Sequence, residues 1–143
     1  MSRIPRFQEH LKAAFTAEAA SAARFRACAT RAEGEGLPNL AGRWTRLAEA
    51  KDQLAVALLE AAEQVRGGET DLVAAIAEER FENDVLYPKM IRDLDPKNAD
   101  PLLRVVAAQK EHLRELEAMR QALTSSPGDV VLPPEVASPL AHA

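Results

Sequence analysis

Four stretches of this chain place apolar residues at alternating spacings of three and four, and clusters of helix-breaking residues separate them. That repeat is the seam of a bundle helix, so the spacing predicts four amphipathic helices. The first runs from about Phe7 to Ala32 and stops at EGEGLPN (33–39), where two glycines and Pro38 end a helix. The second runs from about Leu40 to Val65 and stops at Gly67 and Gly68. The third opens near Thr70 or Asp71 and fades in DLDPKNADP (93–101). The fourth opens there, with Asp100 as N-cap and Pro101 at the first helical position, and runs to about Leu123. Pro88 falls inside the third helix; it lacks an N–H and crowds the carbonyl four residues back, which predicts a kink. No β-alternation is sustained anywhere. The expected fold is all-α, with residues 1–123 as one four-helix domain and 124–143 as an irregular, proline-rich tail. Within that tail Val130-Val131-Leu132 is an apolar stretch suited to docking on the bundle or on a protein partner.

Composition closes off several function classes. Apolar residues make up 47% of the 143, aromatics only 4%, so alanine and leucine fill the interior and favour helices. The net charge is −4 with both signs interspersed, which leaves no basic stripe for nucleic acid. No apolar run approaches the ~20 residues of a membrane span. MSRIPRFQEH contains no signal-peptide core, which predicts a cytoplasmic protein. The single cysteine, Cys28, excludes an internal disulfide and CxxC chemistry and reads as a small core filler.

The seams are apolar except near their middles. They read Phe7, Leu11, Ala14, Glu18, Ala22, Phe25, Ala29; then Leu40, Trp44, Leu47, Lys51, Leu54, Leu58, Ala61; then Leu72, Ile76, Glu79, Glu82 or Asn83, Leu86, Met90; then Leu102, Val105, Gln109, His112, Leu116, Met119, Leu123. In an antiparallel bundle the helix middles share one level. Glu18, Lys51, Glu79, Glu82, Gln109 and His112 are therefore expected to form a polar layer in an apolar core. Burying an unpaired charge costs several kcal/mol, so a metal or mutual ion pairing must satisfy it. Each residue alone reads more simply: Glu82 at the rim, Gln109 as a core amide, Lys51 reaching water along its aliphatic stem. Their common depth favours the shared layer. Glu49, Asp52, Glu111, Glu115 and Glu117 lie off the seams and read as solvated faces; His10 and His142 have no ligand companions at helical spacing.

This layout resembles the rubrerythrin family of ferritin-like proteins. The resemblance is carried by FTAEAASAARFRACATRAEGEGLP in the first helix, AAIAEERFENDVLYP in the third and Gln109-Lys110-Glu111-His112 in the fourth. It implies a four-helix bundle with a di-iron centre, two helices giving a carboxylate and two a Glu-x-x-His motif. The implied metal ligands are Glu18, Glu79, Glu82 and His112, with Tyr87 and Pro88 in their usual places near the site. Four positions depart from the pattern. Lys51 stands where a bridging glutamate belongs, Leu54 where a histidine belongs, and Gln109 replaces a glutamate; Phe25 also replaces a tyrosine. The rubredoxin module with paired CxxC motifs is absent from this sequence.

A lysine ammonium cannot coordinate and repels a nearby cation. The expectation is that Lys51 substitutes electrostatically for the lost metal, pairing with Glu18 and Glu79 while Gln109 and His112 complete a buried network. The chain is then a non-catalytic structural or partner-binding protein with no cofactor. The alternative is a metal-dependent oxidoreductase of peroxidase or ferroxidase type. Its reduced site, Glu79, Glu82, His112 and Glu18, would hold iron, manganese or zinc. Connectivity adds a constraint. Ferritin-like bundles run their second and third helices parallel, which requires the chain to climb on the order of 30 Å. About six extended residues reach only ~20 Å. The chain therefore forms either an up-down-up-down bundle or a homodimer that exchanges helix pairs, and the resemblance favours the exchanged homodimer.

Overall fold

The computed structural model describes residues 3–132, and the described residues are all-α. Residues 133–143, and with them most of the expected tail, lie outside the described residues. Five α-helices follow in order: α1 (Arg3–Gly34), α2 (Pro38–Ala61), α3 (Gly68–Phe81), α4 (Tyr87–Arg92) and α5 (Asp100–Ser125). A π-helical turn, Glu82–Leu86, joins α3 to α4, and a 3-10 turn, Pro96–Asn98, precedes α5. The chain divides between Val65 and Arg66 into two compact units, each a helical hairpin. Among the described residues no helix is long and apolar enough to cross a membrane.

In the first unit, α1 ends in a Schellman motif. Gly36 takes a φ of 75°, Leu37 N–H donates to the Ala32 carbonyl at 2.9 Å, and Gly36 N–H donates to Glu33 at 3.0 Å. These bonds satisfy carbonyls that the helix end leaves open, and glycine adopts the left-handed conformation without a Cβ penalty. The returning α2 packs along α1 through a heptad of small residues: Ala41, Ala48, Ala55 and Ala62 are all buried, with Ala48 only 1% exposed. Ala22, Ala29 and Ala32 are their buried counterparts on α1. Trp44, Lys51 and Leu58, half-buried, occupy the alternate positions of α2. The register is antiparallel and repeats. Glu18 meets Lys51, and Phe25, seven residues later, meets Trp44, seven residues earlier.

This corrects the expected second seam by one residue. Leu40, Leu47 and Leu54 were expected inside; they are about half exposed, and Ala61 is exposed. Alanine lets two helix backbones approach closely, so the hairpin closes on the alanine heptad and the leucines fall on the neighbouring stripe.

In the second unit, α3 and α5 pack together. Asp71 organises the entry to α3: its carboxylate accepts from the backbone N–H of Arg66 at 2.8 Å and of Gly67 at 2.9 Å. These two bonds hold its carboxyl below the usual carboxylate range. Leu72 and Ile76 are buried. At the expected Pro88 kink lies a π turn, just before the proline, where Tyr87 N–H bonds Glu82 five residues back. A wider turn gives the Pro88 ring room that a continuous α-helix would deny it. The extra residue also rotates the helix face. Met90, expected on the seam, is exposed, and Ile91 is half-buried in its stead. The expected cap of the last helix is corrected as well: Asp100 is the first helical residue, and its N-cap Ala99 gives no side-chain hydrogen bond.

Candidate functional site

The expected polar residues divide between the two hairpins. In the first, Lys51 Nζ lies 2.8 Å from Glu18 Oε2, with side chains 31% and 26% exposed. Heptad geometry produces this meeting, because Lys51 sits between Trp44 and Leu58 on the face α2 turns to α1. The approach is not aligned as a hydrogen bond: Glu18 Oε2 is buried and has charge pairing without a well-directed donor. One heptad away the Phe25 and Trp44 rings pack at 5.1 Å between centroids, tilted by 47°. Arg26 and Asp52 form a second, more exposed pair on the outer edge. Asp52, expected as a solvated carboxylate, is thus bound to α1.

In the second hairpin, α3 and the π turn present Glu79, Glu82 and Asn83 toward α5. Gln109 Nε2 donates to Glu82 Oε1 at 2.8 Å. Burial pushes the Glu79 carboxyl above its ordinary range; His112 opposes that shift, and the charges of Glu82 and Glu78 add to it. Four buried polar atoms here have no hydrogen-bond partner: Glu79 Oε2, both amide atoms of Asn83, and Gln109 Oε1. Asn83 is only 8% exposed. His112 departs from expectation. It is exposed, while Leu113 is half-buried, so the α5 face passes one residue beyond it. Tyr87 is half-buried at the start of α4, after the π turn. Cys28, the one cysteine of the sequence, is half-buried.

Sequence reasoning passed over two features. The alanine heptad was visible as Ala at 41, 48, 55 and 62, but leucine outweighs alanine when apolar positions are weighed by size. Arg80 and Glu117 pair across α3 and α5, and with Ile76 and Arg120 they line an open groove that includes none of the expected site residues. Opposite charges at matching positions of two helices were its only sequence signal.

The donor set within each hairpin does not fit a di-iron centre. An ammonium occupies Glu18, Leu54 offers no donor, and the Gln109 amide uses an oxygen of Glu82. Among the described residues no three of His, Cys, Asp and Glu are grouped to hold a metal ion. No protein-family model matches the chain, and no curated protein matches it in sequence.

Proposed function

We propose that this chain is a ferritin-like bundle protein, akin to the rubrerythrins, in which an ion pair stands where a metal-ligand cluster would be. It serves as a non-catalytic structural or partner-binding subunit. The single observation that carries the reading is the Lys51–Glu18 contact of 2.8 Å. A cation fixed on the one carboxylate of the first hairpin's inner face removes that carboxylate from metal binding and repels an incoming metal. The partner that fits best is another copy of the chain.

Reintroducing ligands tests this reading. Lys51→Glu with Leu54→His and Gln109→Glu restores two Glu-x-x-His motifs, at 51–54 and at 109–112. The variant is expected to take up ferrous iron in anaerobic titration, while the parent chain does not. Iron uptake by the parent, or none by the variant, contradicts the reading.

A second reading, a metal-dependent oxidoreductase, draws on the second hairpin. There a carboxylate shifted upward by burial, Glu79, sits near Glu82 and His112 with an oxygen lacking a donor. Peroxide turnover by the iron-loaded parent chain would favour it.

A further inference from the structure

The open groove between α3 and α5 belongs to neither polar cluster. Its volume is about 440 Å³, within the range of small-molecule sites. Ile76, only 4% exposed, supplies an apolar patch to its lining, beside the charged side chains of Glu69, Arg80, Glu117 and Arg120. Every lining residue belongs to the second hairpin, so the groove is complete within one compact unit.

The two arginines are held unequally. Arg80 Nη2 donates to the Glu117 carboxylate. Arg120 Nη2 comes only within 3.7 Å of Glu69, too far for a hydrogen bond. A guanidinium carries five N–H donors in a planar fork that matches a carboxylate. Arg120 therefore keeps a fork that its own carboxylate does not fill, and the Gln121 amide lies in the same lining. Glu69 is exposed, and a loose surface pair contributes little, so it can swing away at small cost. With Glu69 in place the four charges cancel. Without it they leave one positive charge, which suits one anion and not two. Carboxylates are what both guanidinium groups already face, and the Ile76 patch calls for an apolar stem beside the charge.

We propose that this groove binds a small monocarboxylate with an aliphatic stem. The ligand carboxylate takes the Arg120 fork in place of Glu69, and the stem lies over Ile76. Arg80 and Glu117 stay paired and keep α3 joined to α5. The site uses no residue of the Lys51–Glu18 pair or of the cluster around Glu79 and Gln109, so it stands or fails apart from the proposed function.

Titration of the full chain with sodium hexanoate, followed in 1H–15N correlation spectra, tests the site. A Kd on the order of 1 mM is expected for a ligand of this size, with shifts concentrated at Ile76, Arg120 and Gln121. Hexanol has the stem without the charge and acetate the charge without the stem; each should bind more weakly. Glu69→Gln removes the internal competitor and should tighten hexanoate binding about two- to fivefold. Arg120→Gln should weaken it about tenfold, and Arg120→Lys, which keeps the charge but not the fork, should recover only part of that loss. Glu69 and Arg120 are both exposed, so these variants keep the fold, and circular dichroism checks that they do. No shifts with hexanoate, equal binding of hexanol, or an affinity that Arg120→Gln or Glu69→Gln leaves unchanged would each overturn the proposal.

Discussion

The two hairpins solve the same problem, burying polar side chains between a pair of helices, in different ways. The α1–α2 hairpin keeps an unbroken heptad, and its central charge meets an opposite charge at 2.8 Å. The α3–α5 hairpin breaks its heptad with a π turn, and its polar atoms are only partly matched: one amide–carboxylate hydrogen bond beside four buried atoms without partners. Regular packing fixes long side chains into register, whereas a π turn re-aims the residues around it. The first hairpin is therefore built for stability, and the second keeps unused hydrogen-bonding capacity.

The largest expected effect breaks the alanine heptad. Ala48→Leu forces a larger side chain into a position with no room and should cost about 1–3 kcal/mol in urea unfolding. Ala108→Leu, at a half-buried position of α5, should cost clearly less. Equal losses would remove the distinction between a tight and a loose hairpin.

Next comes the ion pair. Lys51→Met strands the Glu18 carboxylate and should cost about 1 kcal/mol, the moderate value suited to a pair still partly exposed. Adding Glu18→Leu should recover most of that loss, since an apolar pair needs no desolvation of charge. A double variant weaker than the single one would show that the pair stabilises beyond packing.

A smaller effect concerns pH. Glu79 titrates above its ordinary value near 4.5 in the folded chain, so the fold binds its proton more tightly than the unfolded chain does. Its contribution is full below that ordinary value and is lost as pH rises through the folded one. Glu79→Gln should thus lessen the decline in stability toward neutral pH, seen in denaturation midpoints between about pH 4 and 8. An unchanged slope would mean that burial does not penalise the Glu79 charge.

The smallest effect has the opposite sign. Asp71 is shifted downward by two backbone N–H groups, so its contribution is present above the ordinary value of 3.8 and is lost as pH falls through the folded one. Asp71→Asn should therefore weaken the chain at neutral pH and converge with the parent in acid. Differences that persist in strong acid would argue against the carboxylate as the source.

The helices and their order were legible because breakers such as EGEGLPN and Gly67-Gly68 punctuate an otherwise regular period. The meeting of Glu18 with Lys51 was legible too, since both lie on seams at matched distances from the first turn. The face of α2 was misread by one residue, because a periodicity of 3.5 does not say which of two adjacent apolar columns faces the neighbour. Alanine wins that choice through backbone approach, which a reading weighted by side-chain size does not capture. Met90 and Ile91 exchanged roles for another reason: one inserted residue in the π turn rotates everything after it. Pro88 announced a disturbance there but not its form. His112 lies beyond the half-buried face for want of one residue of helical phase.

The proposed role of the Lys51 ammonium is to stand where a metal would otherwise be bound. It is tested most directly by the metal content of the full chain after expression in iron-supplemented medium and brief exposure to a mild chelator. The ion pair of Lys51 with Glu18 predicts only trace iron, manganese and zinc per chain. Near-stoichiometric metal that survives the chelator would contradict it.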